Sequence, residues 1–554
     1  MTSNENNNIG NGSYNDQINS LLSRLVADVR QFTESQLGQI KRLAQIGTAL
    51  SAEKNLDRLL EMIVDEARKF TNADAGTLYI MSDDETELEF AIVQNNSQGV
   101  RMGGTGGKIT WPPVSLRNAD GSSNHANVSA HVAISGNVVN IEDVYNAQGF
   151  NFEGTKKFDQ GTGYRSKSMM VVPLRNHEND IIGVLQLLNA QDPANKKVIK
   201  FSPEAQEMTL SMASQAAIAL SNNRLIQDLQ DLLESFIKTI ATAIDEKSPY
   251  TGGHVRRVAE LSMTIAAKIN EAQEGKFAAI KLSDDQMREL RLAAWLHDVG
   301  KITTPEHVVD KATKLETVYD RLNEIRTRFA LLKREYNLKL NEISSENRKN
   351  QEEEYSREIT EIFDQLEEEY KFVAALNSGN EFTSDKMVAR IREIGKRQLT
   401  VGGEVMPLLS EDEIYNLSIN RGTLNDEERN IINNHAMVTY KMLSQLPFPK
   451  KLRSVSIYAA AHHEKIDGTG YPMGLKGDEI KLQSRIIAIA DIFEALTAKD
   501  RPYKKGKTLG EALKIMGFMV KDQHIDADLF DLFMKEKIYS EYAARELAPQ
   551  QIDV

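Results

Sequence analysis

Leu290-Arg-Leu-Ala-Ala-Trp-Leu-His-Asp-Val-Gly-Lys301 reads as an apolar helical run that ends on His297 and Asp298, with Gly300 placed to stop the helix. An imidazole nitrogen beside a carboxylate suits Zn, Fe or Mn, and a carboxylate can also bridge two ions. A second run, Ile457-Tyr-Ala-Ala-Ala-His-His-Glu464, ends another helix on His462 and His463. Two consecutive histidines on an apolar helix are costly unless paired or ligated. His254 opens an amphipathic helix in Thr251-Gly-Gly-His-Val-Arg-Arg257, and His435 lies in Ile431-Ile-Asn-Asn-His-Ala-Met437. Asp491 interrupts the apolar Arg485-Ile-Ile-Ala-Ile-Ala-Asp-Ile-Phe493, where a buried carboxylate needs a partner. These segments predict helices converging on a histidine and aspartate metal cluster. Five of the ten histidines belong to it; His125, His131, His177, His307 and His524 sit in polar or loop-like sequence and read as surface residues.

The rest of the chain sets the context. At 554 residues it is too long for one hydrophobic core and predicts roughly three or four structural units. A chain that is 41% apolar and 27% charged is too apolar to be disordered throughout. The net charge of −13 argues against a nucleic-acid polymer as partner, because Lys and Arg supply most of that affinity. The absence of cysteine excludes disulfides, thiolate ligands and iron–sulfur clusters, so any metal must sit on His and carboxylates. No run approaches the ~20 apolar residues that span a bilayer, and Met1 to Gln17 lacks a signal-peptide pattern, so the expected location is cytoplasmic.

Along the chain, residues 1–17 read as a disordered tail. Residues 18–45 read as a dimerising helix, with Leu22, Leu25, Val29 and Phe32 at spacings of three and four. Residues 46–200 have an α/β texture: a helix over Leu56 to Phe70, then strands over Ala75 to Met81 and Leu88 to Val93. A Gly-rich loop at Gly103 to Lys108 follows, with strands over Ser168 to Pro173 and Ile181 to Leu188. Residues 201–247 form a linker helix whose seam is Ile218, Leu225, Leu229, Leu232, Phe236 and Ile240. Residues 236–539 are the output domain. It is interrupted by an insertion at 306–413 that contains an antiparallel coiled-coil hairpin over 314–372, carried by a heptad run from Leu315 and Tyr319 to Ile343. Residues 540–554 read as a tail.

The stretch Asn140-Ile-Glu-Asp-Val-Tyr145, Thr155 to Asp159, Thr162-Gly-Tyr-Arg-Ser-Lys-Ser168 and Ile182-Gly-Val-Leu-Gln-Leu-Leu-Asn189 resembles the GAF domains of cyclic-nucleotide phosphodiesterases and cyclases. That resemblance implies an antiparallel sheet flanked by helices, with room for a small-molecule ligand. His297-Asp-Val-Gly-Lys301 followed by His462-His-Glu-Lys-Ile-Asp-Gly-Thr-Gly-Tyr-Pro472 resembles the HD-GYP family of bacterial phosphodiesterases. It implies an all-α domain around a multi-metal centre, in which His254, His297, Asp298, His435, His462, His463 and Asp491 match the metal ligands and Asp298 bridges. Lys301, Arg501 and Lys504 match positions that hold substrate phosphates. Gly470, Tyr471 and Pro472 match the signature loop, and Asp298 and Lys301 match the catalytic pair. Some family members hold three metals using a Glu where this chain has Tyr250, so the expectation is two ions, Fe or Mn, with Zn also compatible.

The implied reaction is hydrolysis of a cyclic dinucleotide, cyclic di-GMP, to pGpG or GMP, under the control of the GAF domain in a homodimer. Paired cations would activate water and stabilise phosphoryl charge, while Lys301 and Arg501 would neutralise the phosphates. Two other readings compete: a non-catalytic cyclic-dinucleotide receptor or scaffold, with the hairpin as a docking arm for a signalling protein, and a phosphohydrolase for another nucleotide such as cyclic GMP-AMP.

Overall fold

Strand alternation organises the first part of the chain. In the computed structural model, which describes residues 10–247, 252–346, 352–498 and 506–554, the chain falls into two compact units that divide between Asp231 and Leu232. The first unit opens with helices α1 (Gly10–Ala52) and α2 (Leu56–Thr71). The Asn55 side chain caps α2 by accepting the Arg58 N–H, and Asn72 ends it in the left-handed region. Strands β1 (Ala73–Met81), β2 (Glu87–Asn95), β3 (Val100–Gly103) and β4 (Val114–Ser115) follow. Then come α3 (Val128–Ser135), β5 (Val139–Ile141), α4 (Glu153–Thr162), β6 (Met169–Arg175), β7 (Ile181–Gln191), β8 (Val198–Ile199) and the long helix α5 (Pro203–Asp245).

These strands form one antiparallel eight-stranded sheet, β3-β2-β1-β7-β6-β5, with β4 beside β2 and β8 beside β7. Because successive side chains point to opposite faces, Leu78, Met170 and Leu185 pack with Leu50, Ile63 and Ala213 of α1, α2 and α5 on one side. Tyr79, Val171 and Val184 pack with Val132 of α3 on the other. The α/β class expected from sequence is the fold observed.

The second unit is built around an all-helical core. Helices α6 (His254–Glu271) and α7 (Asp284–Leu296) lead to a 3-10 turn at Val299–Thr303 and the short α8 (Glu306–Val309). After the insertion come α13 (Asp426–Ser444), α14 (Val455–Ala460), α15 (Leu482–Thr497), α16 (Leu509–Lys521), α17 (Ala527–Lys535) and α18 (Ile538–Glu546). Ile265, Leu290, Val455, Ile486, Phe493 and Phe533 lie at the centre of one apolar cluster.

The insertion carries α9 (Leu322–Glu346), α10 (Glu352–Asn377), α11 (Asp385–Gly395), the hairpin β9 (Gln398–Val401) and β10 (Glu404–Pro407), and α12 (Glu411–Leu417). Phe329 packs on Tyr370, and Lys333 pairs with Glu367 at 2.8 Å, so α9 and α10 run antiparallel. The pair is not a bare coiled coil: Leu315, Ile325, Leu366, Ile391, Leu399 and Leu409 make a separate core with α11, α12 and β9. Two lysines tie its stem down. Lys311 Nζ lies 2.8 Å from both carboxylate oxygens of Glu428. Lys314, with no exposed surface, donates to Thr383 Oγ1 and the carbonyls of Leu417 and Ile419.

Three expectations are corrected. Residues 10–17 are helical rather than a tail, since an amphipathic helix once nucleated extends at little cost; residues 1–9 lie outside the described residues. The hairpin begins at Leu322 rather than 314, because the Asp320 carboxylate accepts the Leu322 N–H and starts the helix there. Residues 540–554 are packed: Tyr542 and Ala543 are buried, and the Gln551 amide bridges the carbonyls of Thr497 and Lys507. Among the described residues no helix is long and apolar enough to cross a membrane.

Candidate metal centre

Three helix ends and two helix interiors deliver the cluster. His254 is the first residue of α6, His297 closes α7 with Asp298 next to it, and His462 and His463 lie in the 3-10 turn that ends α14. His435 and Asp491 project from within α13 and α15. The ligand atoms of His254, His297 and Asp491 lie within 4.8 Å of one another, as do those of His435, His462 and His463, and those of His297, Asp298 and His462. Asp298 stands between the groups. Its Oδ2 is 3.5 Å from His254 Nε2 and 3.3 Å from His297 Nε2, and its Oδ1 is 3.3 Å from His435 Nε2.

Hydrogen bonding decides what these atoms offer. His297, His435 and His462 each place Nδ1 on the carbonyl three residues earlier, at 2.8, 2.5 and 2.6 Å. Nδ1 is therefore the donor and Nε2 presents a lone pair. All three Nε2 atoms and Asp298 Oδ1 are buried without a hydrogen-bond partner among the described residues. A lone pair facing a carboxylate oxygen at 3.3 Å is repulsive unless a cation lies between them, so the donor set fits a metal.

The charges agree. Burial, reinforced by neighbouring histidines, holds His462 well below its usual pKa, and burial pushes His463 down to about 3, so both rings stay neutral, the form a metal site requires. For Asp298, burial opposes ionisation, but Lys301, His297 and His254 outweigh it and hold the carboxyl well below its usual range. Burial likewise opposes charge on His254. There Glu494, Asp298 and Asp491 prevail and raise it well above its ordinary value, so in their field a proton takes a cation's place.

The surrounding residues orient the cluster. Glu494, 1% exposed, accepts from His254 Nδ1 at 2.5 Å and from Arg257 at 2.6 Å. The sequence reading missed it, although Glu494 follows Asp491 by three positions on the same helix face. Gly300 ends no helix; a Cβ there would stand 2.0 Å from the His435 carbonyl oxygen and 2.7 Å from Thr439 N. Its bareness lets α13 bring His435 up to Asp298. Lys301 places Nζ on Asp298 Oδ2 at 2.5 Å, and Lys247, near the end of α5, donates to the carbonyls of Ile302 and Thr304.

The loop after His463 closes the site. Tyr471 stacks on His463 with ring centroids 4.8 Å apart. Gly470 leaves no room for a side chain, since a Cβ would lie 2.3 Å from Lys465 N. The buried Glu464 carboxylate accepts the N–H groups of Met473 and Leu475, which follow Pro472, and so ties that end of the loop back to the residue after His463. Arg501 and Lys504 lie outside the described residues. The surface reading of His524 is overturned: it is half-buried and lines a cavity with His462 and Asp491, because the backbone of the signature loop docks on the segment before it, Asp467 N donating to the Gln523 carbonyl. In the first unit, Tyr79, Phe90, Trp111 and Phe158 form a chain of ring contacts with centroids 4.7, 5.3 and 6.2 Å apart.

Comparison with known proteins supports this division of the chain. A GAF-domain profile matches residues 55–220, and two HD-domain profiles match residues 251–370 and 409–529. The chain is similar to 3'3'-cGAMP-specific phosphodiesterase 3 of Vibrio cholerae serotype O1, with 47% identity over 17% of this chain and 20% of that protein. It is also similar to the cyclic di-GMP phosphodiesterase response regulator RpfG of Xanthomonas campestris pv. campestris, with 33% identity over 23% of this chain and 34% of that protein. The matches thus span a fifth to a third of these relatives' lengths. Among solved structures, the GAF domain of the Acinetobacter phosphoenolpyruvate-protein phosphotransferase aligns at 14% identity and a TM-score of 0.25, covering 34% of this chain and 97% of that one.

Proposed function

We propose that this chain, a GAF–HD-GYP protein, is a metal-dependent phosphodiesterase that hydrolyses a cyclic dinucleotide, cyclic di-GMP, to pGpG and on to GMP. The observation that carries the reading is that four buried ligand atoms, Nε2 of His297, His435 and His462 and Oδ1 of Asp298, have no hydrogen-bond partner among the described residues and belong to one cluster of adjoining donor groups beside a loop of signature sequence.

In this reading His254, His297 and Asp491 would hold one divalent ion and His435, His462 and His463 a second, with Asp298, which stands between the two groups, available to both. Fe or Mn suits this set of nitrogen and oxygen donors, and Zn is compatible with it. Ions held there would supply an activated water and Lewis-acid stabilisation of the phosphoryl oxygens. The chain's own residues do the rest. Carbonyls fix the imidazole tautomers, Glu494 orients His254, and Lys301 exchanges its contact with Asp298 for a non-bridging phosphate oxygen as charge builds there. Arg501 and Lys504 hold the second phosphate, and Gly470, Tyr471 and Pro472 wall the substrate against His463. Water gives up a proton and adds to phosphorus, the P–O3' bond breaks, and O3' leaves with its electron pair and takes up a proton from solvent as the ring opens to the linear dinucleotide.

Regulation enters through the GAF domain. The exposed rings of Trp111 and Phe158, next to Phe90 and Tyr79, support a small-molecule ligand on that face of the sheet. Exposed apolar seams along α1 (Leu22, Leu25, Val29, Phe32) and α5 (Leu225, Leu229, Leu232, Phe236) support a homodimer. A cytoplasmic location and a signalling partner for the helical insertion belong to the same reading.

Hydrolysis of cyclic di-GMP by chain purified anaerobically with Fe(II) or Mn(II) tests it, with His297→Ala and Asp298→Ala as controls. Turnover that disappears in the controls is the expected result; bound metal without turnover overturns it. The similarity to a 3'3'-cGAMP-specific enzyme favours 3'3'-cGAMP as the second substrate to assay.

A further inference from the structure

Beside the metal centre a cavity of about 380 Å³ opens between α15 and α16. Its volume falls within the roughly 300–1,000 Å³ of small-molecule sites. His462, His463, Glu464 and Asp491 supply one part of its lining, the Glu464 carboxylate being taken up by the N–H groups of Met473 and Leu475, and the remainder is of another character. Ile492 and Leu496 face it from α15, Ile515 and Met519 from α16, and His524 follows the end of α16. Metal ligands alongside aliphatic side chains fit a ligand that is itself divided, an anionic phosphate joined to a flat, weakly polar ring.

His524 is the one polar group on the aliphatic part of the lining. Its backbone N–H is fixed by the Met519 carbonyl at 2.8 Å, and the carbonyl of the preceding Gln523 accepts Asp467 N–H of the signature loop at 3.1 Å. The segment is thus anchored on both sides, while the imidazole itself makes no hydrogen bond among the described residues. Burial, with Lys465 adding to it, holds the ring below its usual pKa. A neutral imidazole offers one donor and one acceptor, a match for the alternating edge of a purine.

We infer that this slot seats one nucleobase of the cyclic dinucleotide while the adjoining phosphate lies at the metal centre, with His524 hydrogen-bonding the base edge. The inference rests on the phosphodiesterase reading and adds a specificity-determining residue to it. The aliphatic walls hold the ring by dispersion and exclusion of water, and His524 is a positioning contact that takes no part in bond breaking.

The test uses the full chain loaded with Mn(II), the variants Ile515→Trp and His524→Ala, and three substrates: cyclic di-GMP, 3'3'-cGAMP and bis(p-nitrophenyl) phosphate, a diester with no nucleobase. Ile515→Trp fills the slot from the side that carries no candidate ligand. It should raise KM for the preferred cyclic dinucleotide at least tenfold and lower kcat/KM for it relative to the nitrophenyl diester by a similar factor. His524→Ala should raise the same KM three- to tenfold with kcat nearly constant. Calorimetric titration with GMP should show binding weakened in both variants, while ribose 5-phosphate binds all three proteins alike. Wild-type KM in both variants, or equal losses on the nucleobase-free diester, would overturn the slot. A wild type that cleaves the nitrophenyl diester but neither cyclic dinucleotide sinks the phosphodiesterase reading instead, and the GMP titration then decides the slot by itself. Metal content and melting temperature report folding; if Ile515→Trp fails there, Met519→Phe occupies the same space.

Discussion

His254 Nδ1 stands 2.5 Å from a carboxylate oxygen of Glu494, a residue 240 positions further along the chain. The contact joins the first residue of α6 to the interior of α15 and leaves His254 Nε2 to face Asp298 and Asp491. A buried carboxylate behind an imidazole fixes its ring and raises the basicity of the opposite nitrogen.

Replacing Glu494 by Gln keeps the shape and removes the charge. The expected result is a 10- to 100-fold loss of metal affinity with the fold retained. Metal content after dialysis at limiting Mn(II), read alongside circular dichroism, checks it; full occupancy in Glu494→Gln would show that His254 needs no such partner.

Gly300→Ala places a methyl group 2.0 Å from the His435 carbonyl oxygen, backbone that cannot swing aside. Moving α13 away should cost about 1–3 kcal/mol and draw His435 from Asp298. Urea unfolding with and without Mn(II) measures both effects, and the variant should lose the stabilisation that metal gives the wild type.

Lys314 is pushed down to about 8 by burial, against three neutral oxygens and no carboxylate. Below pH 8 the folded and unfolded chains both carry its proton, so its contribution to stability is flat. Between pH 8 and about 10.5 the unfolded chain binds more protons, so this residue's contribution rises with pH. The stability of the wild type relative to Lys314→Met should therefore climb across that window, as read by urea unfolding at pH 7, 8, 9 and 10. A flat difference would mean that the lysine titrates normally.

Leu229 and Phe236 are 64% and 59% exposed on α5, two turns apart on the seam. Leu229→Lys with Phe236→Lys should halve the molar mass measured by light scattering. A mass unchanged by the double substitution would assign the dimer contact elsewhere or exclude it.

Much of the site was legible because its residues break a rule. Histidine pairs and a lone aspartate stand out in apolar helices, where burial without a partner is expensive. Glu494 escaped notice because it lies just past the apolar run that made Asp491 conspicuous, where a carboxylate looks like surface charge until it proves buried. Gly300 was assigned to helix termination because a close approach from α13 leaves no local mark in the sequence. The strands were legible from alternation around Leu78 and Leu185. The separate core of the insertion was not, since Leu399 and Leu409 are scattered among charged neighbours and join α9 and α10 only in three dimensions. His524 looked polar and exposed because nothing in its neighbours tells that the signature loop docks against it.

The insertion also bears on how the centre assembles. His297 and His435 lie on either side of it, and a structureless stretch of that length would make their meeting entropically slow, since non-local contacts must first close the loop. With its own core and with Lys311 and Lys314 fastening its two stems, the insertion holds its two ends side by side. In chain-statistical terms it turns a long loop into a short one, so two halves of a binding site distant in sequence meet as near neighbours.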